Sequence, residues 1–537
     1  MHYSRIAQAL QEISLAPRRR KVDLAAGLLS ETESEAEGPE MLCPVVRLLL
    51  GELWPHWEGR EMGIGPEALM AALAEVSDQD VSSVRERLGE MGMVAEAVLA
   101  QKGQHSLFSE PLQALSVYEK LMRISAMRGE ESEQRKNALL RGLFLEATPL
   151  EGKYIARTTL RNMQAGIGHM SMIAALSRSL HVDPQKIRRA FFIMPDLGSI
   201  AAMARRQDLE RIAIKPGVPT RFMLFRSREG HIPGAFLPKY PGLRVQVHKV
   251  KREVLIFTSQ LRNITFALNG LSRSIGEIDG DLVADADLIG FHDKGDGICS
   301  QAEMLRYINR RRLSRKSSIL PALLAYDLIS QEGEDICSMP YQDRRKRLLS
   351  ILGTPKDMPF SGISPAEEKV LMDRGAVDEF LCRAEKAGAW ALLERDLQAA
   401  YCPGEVAQRD FIIRAEHNLA ALIVRVLWGR GKKKKLPARY QVALRSGEEL
   451  VPVGFAMRGL SEKDQQALSH RLRSLVSNEN EGGADVSAQI VLNLKIRGAH
   501  KRQAKYSILE PVIEGIRLNA SLEDADPLAK LETICGR

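Results

Sequence analysis

The sequence predicts a multidomain α+β protein, and three observations predict it. Helical periodicity dominates residues 1 to 205, two-residue alternation takes over after a proline-rich segment near Pro216, and a run of short strands fills the chain from Ala421 onward. At 537 residues the chain exceeds what one hydrophobic core supports, so several domains are expected, with boundaries at 1–205, 206–420 and 421–537.

The first unit is predicted to be all-α. Leu69, Met70, Leu73 and Val76 recur at helical spacing between Pro66 and Val76, Leu112 to Met122 repeats the pattern, and the opening MHYSRIAQALQEI reads as an amphipathic helix start. The acidic stretch SETESEAEGPE, Ser30 to Glu40, is expected to be a solvated loop. Prolines 216 and 219 in KPGVPTRFML exclude a helix interior and mark a boundary. Beyond them LRVQVHKVKREVLIFT alternates, with Leu243, Val245 and Val247 on one face and Arg244, Gln246 and His248 on the other, and returns as a hairpin over Val254 to Phe257. Further strands are expected at Ile278 to Ala284 and Ala322 to Ile329, and helices at Gln301 to Arg311 and Tyr341 to Leu352, making the middle unit α+β. The last unit offers ALIVRVLWG, ARYQVALR and ELVPVGFAM, a helix at Glu462 to Leu475, and strands near Ile490 to Ile496 and Val512 to Arg517. Short strands with one helix among them fit a small β-barrel of the oligonucleotide-binding (OB) type.

Composition narrows the function classes. Hydrophobic residues at 45% and charged residues at 27% are globular usage and exclude a largely disordered chain. Lys and Arg outnumber Asp and Glu by 76 to 68, a net +8 that favours a polyanionic partner. The six cysteines are scattered, with no close pair of the kind a zinc site or redox motif would use, and read as reduced thiols. No signal-peptide core or spanning segment is visible, so a soluble cytoplasmic protein without membrane association is expected.

Lys239-Tyr240-Pro241-Gly242-Leu243-Arg244 opens the middle hairpin and resembles the K-Y-D-G-x-R signature of covalent nucleotidyltransferases. An amine there can attack the α-phosphate of ATP and carry AMP as a phosphoramidate, provided nearby positive charge or a metal lowers its pKa. The resemblance extends along nearly the whole chain. Cys43 to Gly65 and Leu140 to Gly168 look like the helical DNA-binding domain of archaeal and eukaryotic replicative ligases; PGVPTRFML is similar to their interdomain segment; and the last unit looks like their C-terminal OB barrel. The chain thus resembles the archaeal type of ATP-dependent DNA ligase. That resemblance implies a central adenylation domain and the sealing of 3′-hydroxyl/5′-phosphate nicks in duplex DNA, in replication, recombination and repair.

The resemblance also implies roles for residues. Lys239 is the expected AMP-lysine; Arg244 and Arg414 contact nucleotide phosphate or ribose; Tyr326 stacks on adenine. Asp281, in Asp279-Gly280-Asp281, sits where the family has its D-G-E strand and is the expected ligand for Mg²⁺. Lys153, Arg157 and Arg161, four residues apart, form an expected basic helical stripe for duplex phosphates, and Lys432 and Lys433 in the run Lys432 to Lys435 a second DNA contact. A sliding clamp is a possible further partner, and a monomer the expected state. The chain departs from the pattern at Leu237, Pro241, Trp390, Ile412 and Ala520, where the family has polar groups. Those departures define an alternative, a ligase paralogue that binds nicked duplex without sealing it.

Overall fold

The computed structural model describes residues 1–35, 38–102, 110–129, 131–227, 232–293, 297–310, 318–414, 416–429, 436–480, 483–502 and 505–535. The first unit is helical from Tyr3–Leu15 to Leu197–Arg205, and its buried faces meet in one core running from Tyr3 to Ala201. At its centre the helix Pro149–Thr159 buries every residue from Glu151 onward. A capping box fixes its start: Thr148 Oγ1 accepts from the Glu151 N–H, and the Glu151 carboxylate accepts from the Thr148 N–H. This helix crosses Met91–Leu99 closely because each supplies a glycine. A Cβ on Gly152 would lie 2.1 Å from a Leu99 methyl, and one on Gly92 2.7 Å from Nε of Arg157. The stretch expected to be a solvated loop is instead helical as far as Ser34. Leu28, Leu29 and Thr32 face the core, so the acids occupy the outer side of the helix Arg18–Ser34.

The middle unit holds β1 (Leu224–Ser227), β2 (Gly234–Lys239), β3 (Leu243–Val250), β4 (Glu253–Thr258), β5 (Leu282–His292), β6 (Ile319–Gln331), β7 (Glu334–Asp335), β8 (Gly362–Pro365), β9 (Lys369–Leu371), β10 (Ala391–Arg395) and β11 (Val406–Ile413). They form two sheets, one ordered β1-β11-β10-β2-β9 and the other β4-β3-β5-β6-β7 with β8 beside β6. The predicted hairpin is β3–β4, and the helix Tyr341–Leu352 has its predicted bounds. The strand expected at Ile278 to Ala284 begins only at Leu282 and runs to His292, because Gly280 turns the chain at φ +82°.

β3 is buried on both faces. Leu243, Val245 and Val247 join Ala284, Ala286 and Leu288 of β5 in an apolar core. On the other face Gln246 and His248 are 0% and 1% exposed, and the interdomain segment satisfies them. Gln246 accepts from the Thr220 N–H (3.0 Å) and donates to the Thr220 carbonyl (3.1 Å) and hydroxyl (2.9 Å), while the Gly217 N–H donates to His248 Nδ1 (3.2 Å). Burial pushes the His248 imidazole down to about 3, so it is neutral and can accept that bond.

A buried charge cluster ties the two sheets together. Asp327 of β6 accepts from Arg344 (2.9 and 2.8 Å) and from Arg395 of β10 (2.6 Å), and Arg395 also pairs with Asp410 of β11 (2.9 Å). Burial alone would raise the Asp327 carboxyl, but the two guanidiniums overbalance it and hold it below its usual range.

The last unit contains β12 (His417–Trp428), β13 (Pro437–Ser446), β14 (Glu449–Ala456), β15 (Val476–Asn480), β16 (Gly483–Val486), β17 (Ile490–Ile496), β18 (Ala499–Arg502), β19 (Lys505–Ile508) and β20 (Val512–Leu518). Its main sheet runs β14-β13-β12-β16-β15, with β17 joining β12 to β20, around a core that the helix Glu462–Arg473 covers through Leu468 and Leu472. The fold class is thus as expected: helical, then α+β, then β-rich. Among the described residues no helix is long and apolar enough to cross a membrane.

Replacing Asp327 by Ala strands Arg344 and Arg395 without their shared counter-charge. A loss of about 3–5 kcal/mol in urea unfolding is expected; a midpoint unchanged from wild type would show that the cluster does not hold the sheets.

Candidate functional site

Lys239 ends β2 in one sheet and Arg244 lies at the start of β3 in the other, so Tyr240, Pro241 and Gly242 form the crossover between them. The crossover presses against β5: a Cβ on Gly242 would lie 2.6 Å from the Leu288 carbonyl oxygen. Register then places Arg244 beside Asp287 and Gln246 beside Asp285, and strand alternation turns both aspartates to the face that meets Lys239.

The Lys239 ammonium is ion-paired with Asp287 and lies 4.0 Å from the centroid of the Tyr326 ring, whose hydroxyl donates to the Pro238 carbonyl (3.1 Å). Arg244 forks onto Asp285 (3.0 and 2.5 Å) and gives a further N–H to the Met223 carbonyl (2.7 Å). The Tyr401 hydroxyl donates to the same aspartate at 3.0 Å. Two cations therefore face two carboxylates in a water-poor setting, with Lys239 only 8% exposed.

Burial lowers the pKa of Lys239, Asp287 opposes that, Arg244 adds to it, and the net position is below the ordinary lysine value. This is the direction a nucleophilic amine needs, since only the neutral form has a lone pair. Tyr326 moves the other way: burial and the nearby Asp287 carboxylate push its phenol well up, so it stays a neutral ring.

Trp390 braces the lysine from the first sheet. Its N–H donates to the Lys239 carbonyl (2.8 Å) and its indole to the Tyr240 carbonyl (3.2 Å), extending the pairing of β10 with β2. Arg414 lies 4.9 Å from the Trp390 ring and reaches Glu510 of the last unit at 3.8 Å, which puts it at the rim of the site.

The structure thus brings Lys239, Arg244 and Tyr326 together, with Arg414 one layer away. It does not bring Asp281. That residue precedes β5, where its carboxylate accepts from the Lys251 N–H (2.6 Å) in the turn around Gly280. At about 3.3 Å per residue, the strand puts it roughly 20 Å from Asp287. The acidic pair that faces Lys239 and Arg244 is Asp285 and Asp287, which sequence reasoning missed. Their signal is present: two carboxylates at alternate positions of an otherwise apolar strand, where each needs a cationic partner to be buried.

The expected basic stripe also changes. Lys153 is 5% exposed and bound to Glu96 (2.8 Å) and Gln11 (3.1 Å); Arg157 is 7% exposed and bound to Glu90 (2.9 Å). Both hold helices together because the helix Pro149–Thr159 is central and has no solvent face. Arg161 lies beyond that helix and is exposed. It is 5.7 Å from the Trp54 ring and lines, with Arg85 and Asn162, a cavity of about 700 Å³. Lys432 and Lys433 lie outside the described residues.

Known proteins resemble this chain in sequence. Residues 2–177 match the family model of the DNA ligase N terminus, and residues 231–409 that of the ATP dependent DNA ligase domain. A DNA ligase of Methanothermobacter thermautotrophicus is 28% identical over 559 residues, spanning 99% of this chain and 97% of that protein. DNA ligases of Thermococcus fumicolans (26%; 93% of this chain, 92% of that protein) and Archaeoglobus fulgidus (27%; 95% and 94%) are similar at comparable length.

With ATP labelled on its α-phosphate, Asp281→Ala is expected to leave covalent labelling within about twofold of wild type, whereas Asp287→Asn slows it on the order of 100-fold. Equal effects of the two would reverse the assignment of the acidic pair. The amine reacts only when unprotonated, so the wild-type labelling rate should climb with pH and level off below about 10.4, the ordinary lysine value. A plateau reached only above that value would contradict the lowered pKa.

Proposed function

The chain belongs to the ATP-dependent DNA ligase family, and on that premise we propose that it seals nicks in duplex DNA through an AMP carried on Lys239. The observation that carries this reading is the buried lysine between two sheets, flanked by Asp287 and Arg244, with its pKa lowered. In the first step the neutral amine attacks the α-phosphorus of ATP. A P–N bond forms, the P–O bond to pyrophosphate breaks, and the amine gives up a proton to solvent. In the second, an oxygen of the DNA 5′-phosphate attacks the same phosphorus, and Lys239 regains its proton as the P–N bond breaks. In the third, the 3′-hydroxyl oxygen attacks the 5′-phosphorus and gives up its proton to solvent, and AMP leaves with the electrons of the broken P–O bond.

Within this scheme Arg244 fixes Asp285, and Tyr326 presents a neutral π-face beside the amine for the adenine. Mg²⁺ is commonly bound through one or two carboxylates together with substrate phosphates, whose charge it neutralises. Asp287 is the residue that would hold it. Asp285 already engages Arg244 and Tyr401, whereas Asp287 loses its cationic partner once Lys239 becomes a neutral phosphoramidate. Duplex DNA is the partner, with the exposed Arg161, the half-buried Arg85 and their cavity as the surface the helical unit offers to its phosphates.

The test uses α-labelled ATP and Mg²⁺, followed by denaturation. Wild type should retain label, Lys239→Ala should retain none, and wild type should join a nicked duplex. Lys239→Ala should still close a nick supplied with AMP already on its 5′-phosphate, because the last step does not use the amine. If wild type binds nicked duplex but takes no label, the proposal fails.

A further inference from the structure

The far end of β5 carries a second cluster of reactive side chains. His292 closes the strand, and the chain then folds back: Phe291 pairs with Ile298, the His292 N–H donates to the Gly297 carbonyl (3.2 Å), and the Cys299 N–H donates to the Gly290 carbonyl (2.8 Å). Cys299 therefore stands opposite Gly290, two positions before His292, and the cysteine and histidine side chains share one face. Gly290 leaves that face open. A Cβ there would lie 3.3 Å from the Cys299 sulfur and 2.5 Å from Sδ of Met304.

The helix Gln301–Ile308 follows directly, and its capping box draws Glu303 back over the helix start. Oε2 of Glu303 accepts from the Ser300 N–H (2.8 Å) and hydroxyl (2.7 Å). Its other oxygen, Oε1, is left 3.9 Å from Nε2 of His292, too far for a hydrogen bond. The candidate ligand atoms of His292, Cys299 and Glu303 all lie within 4.8 Å of one another.

The geometry points to a binding site for one zinc-class divalent ion, held by His292, Cys299 and Glu303 with a water in the fourth position. An imidazole nitrogen, a thiolate and a single carboxylate oxygen form a mixed donor set suited to Zn²⁺, whereas Mg²⁺ and Ca²⁺ take oxygen ligands. Bonds of about 2.0–2.3 Å in a tetrahedron put ligand atoms about 3.3–3.6 Å apart, so the cluster must contract by roughly 1 Å. Cys299 is fully buried and fixed; His292 and Glu303, each 32% exposed, can rotate inward and leave an open position facing solvent. A search for paired cysteines passes over this site because only one of its ligands is a cysteine, in the pattern His292, Cys299, Glu303. The ion would pin the return segment and the helix to the end of the strand that carries Asp285 and Asp287. It is distinct from the lysine site, about 16 Å along β5 from Asp287.

The full chain, freed of metal with a chelator, is titrated with Zn²⁺ alone and with Co²⁺ alone. One equivalent should bind, Co²⁺ should give tetrahedral bands and a thiolate charge-transfer band, and Zn²⁺ should slow alkylation of Cys299 as read by peptide mass. Cys299→Ser should abolish the charge-transfer band, and His292→Ala and Glu303→Gln should weaken binding on the order of 100-fold or more. Gln at position 303 keeps the capping box, so its loss of affinity reports the ligand and not the helix. Cobalt bound without a thiolate band, Cys299 alkylated equally fast with and without Zn²⁺, or variants that bind zinc as tightly as wild type would overturn the assignment.

Discussion

The pairing of Lys239 with Asp287 is the interaction on which the middle of this protein is organised. β3 and β5 bury both faces, and a strand whose second face carries Arg, Gln, His and Asp cannot be buried unless every polar group on it finds a partner. The partners come from three places: Lys239 at the end of the other sheet, Tyr401 from the segment before β11, and Thr220 and Gly217 from the interdomain segment. Satisfying the face thus docks the first sheet and straps the helical unit to the second sheet in one act. Architecture and chemistry rest on the same charges, which sets limits on how they can be altered.

Those charges also fix what Arg244 can do. With both aspartate oxygens and the Met223 carbonyl on its guanidinium, and Phe222 and Phe225 at 5.1 and 4.7 Å from it, Arg244 is held from all sides. Its contribution in this state is to neutralise Asp285, leaving Asp287 as the carboxylate facing the amine. It also depresses the pKa of Lys239 through space, against the pull of Asp287. The amine is tuned by a balance of neighbours, and removal of either neighbour shifts it in a known direction.

Much of this was legible in the residues, and the misses have physical causes. Period-two alternation located β3 and β4, an apolar run located β6, and Lys239-Tyr240-Pro241-Gly242-Leu243-Arg244 located the crossover, since all are local signals. Asp281 was misplaced because a three-residue match carries no register. A glycine at φ +82° makes Asp279-Gly280-Asp281 a turn, and the acids that face Lys239 and Arg244 lie further along, where only the strand pairing identifies them. Lys153 and Arg157 were read as a surface stripe because helical spacing says which residues share a face but not whether that face meets water. Strands such as β15 and β18, VSNEN and AHKR, have no apolar alternation and are strands only because β16 and β19 pair with them.

The departures from the family pattern are not scattered evenly over the fold. Leu237 is on β2, Trp390 immediately precedes β10 and Ile412 is on β11, so three of them belong to the first sheet. Leu237 and Ile412 pack into its apolar core, and Trp390 spends its N–H groups on the backbone of Lys239 and Tyr240. Arg244, Asp285, Asp287 and Tyr326 are all on the second sheet. The first sheet therefore meets Lys239 with packing and backbone contacts, while the second sheet presents charges and an aromatic ring to it. A nucleotide held mainly from the second sheet would still meet the amine, because the Lys239 side chain pairs with Asp287 of that sheet while its backbone stays in β2, braced by Trp390. The resemblance implies an adenine acceptor at Leu237, a metal-associated carboxylate at Trp390 and a phosphate-binding lysine at Ile412, and the absence of these groups bears on the formation of the lysine adduct more than on its use. On this geometry, chemistry that begins from an already adenylylated end depends least on what the chain has changed.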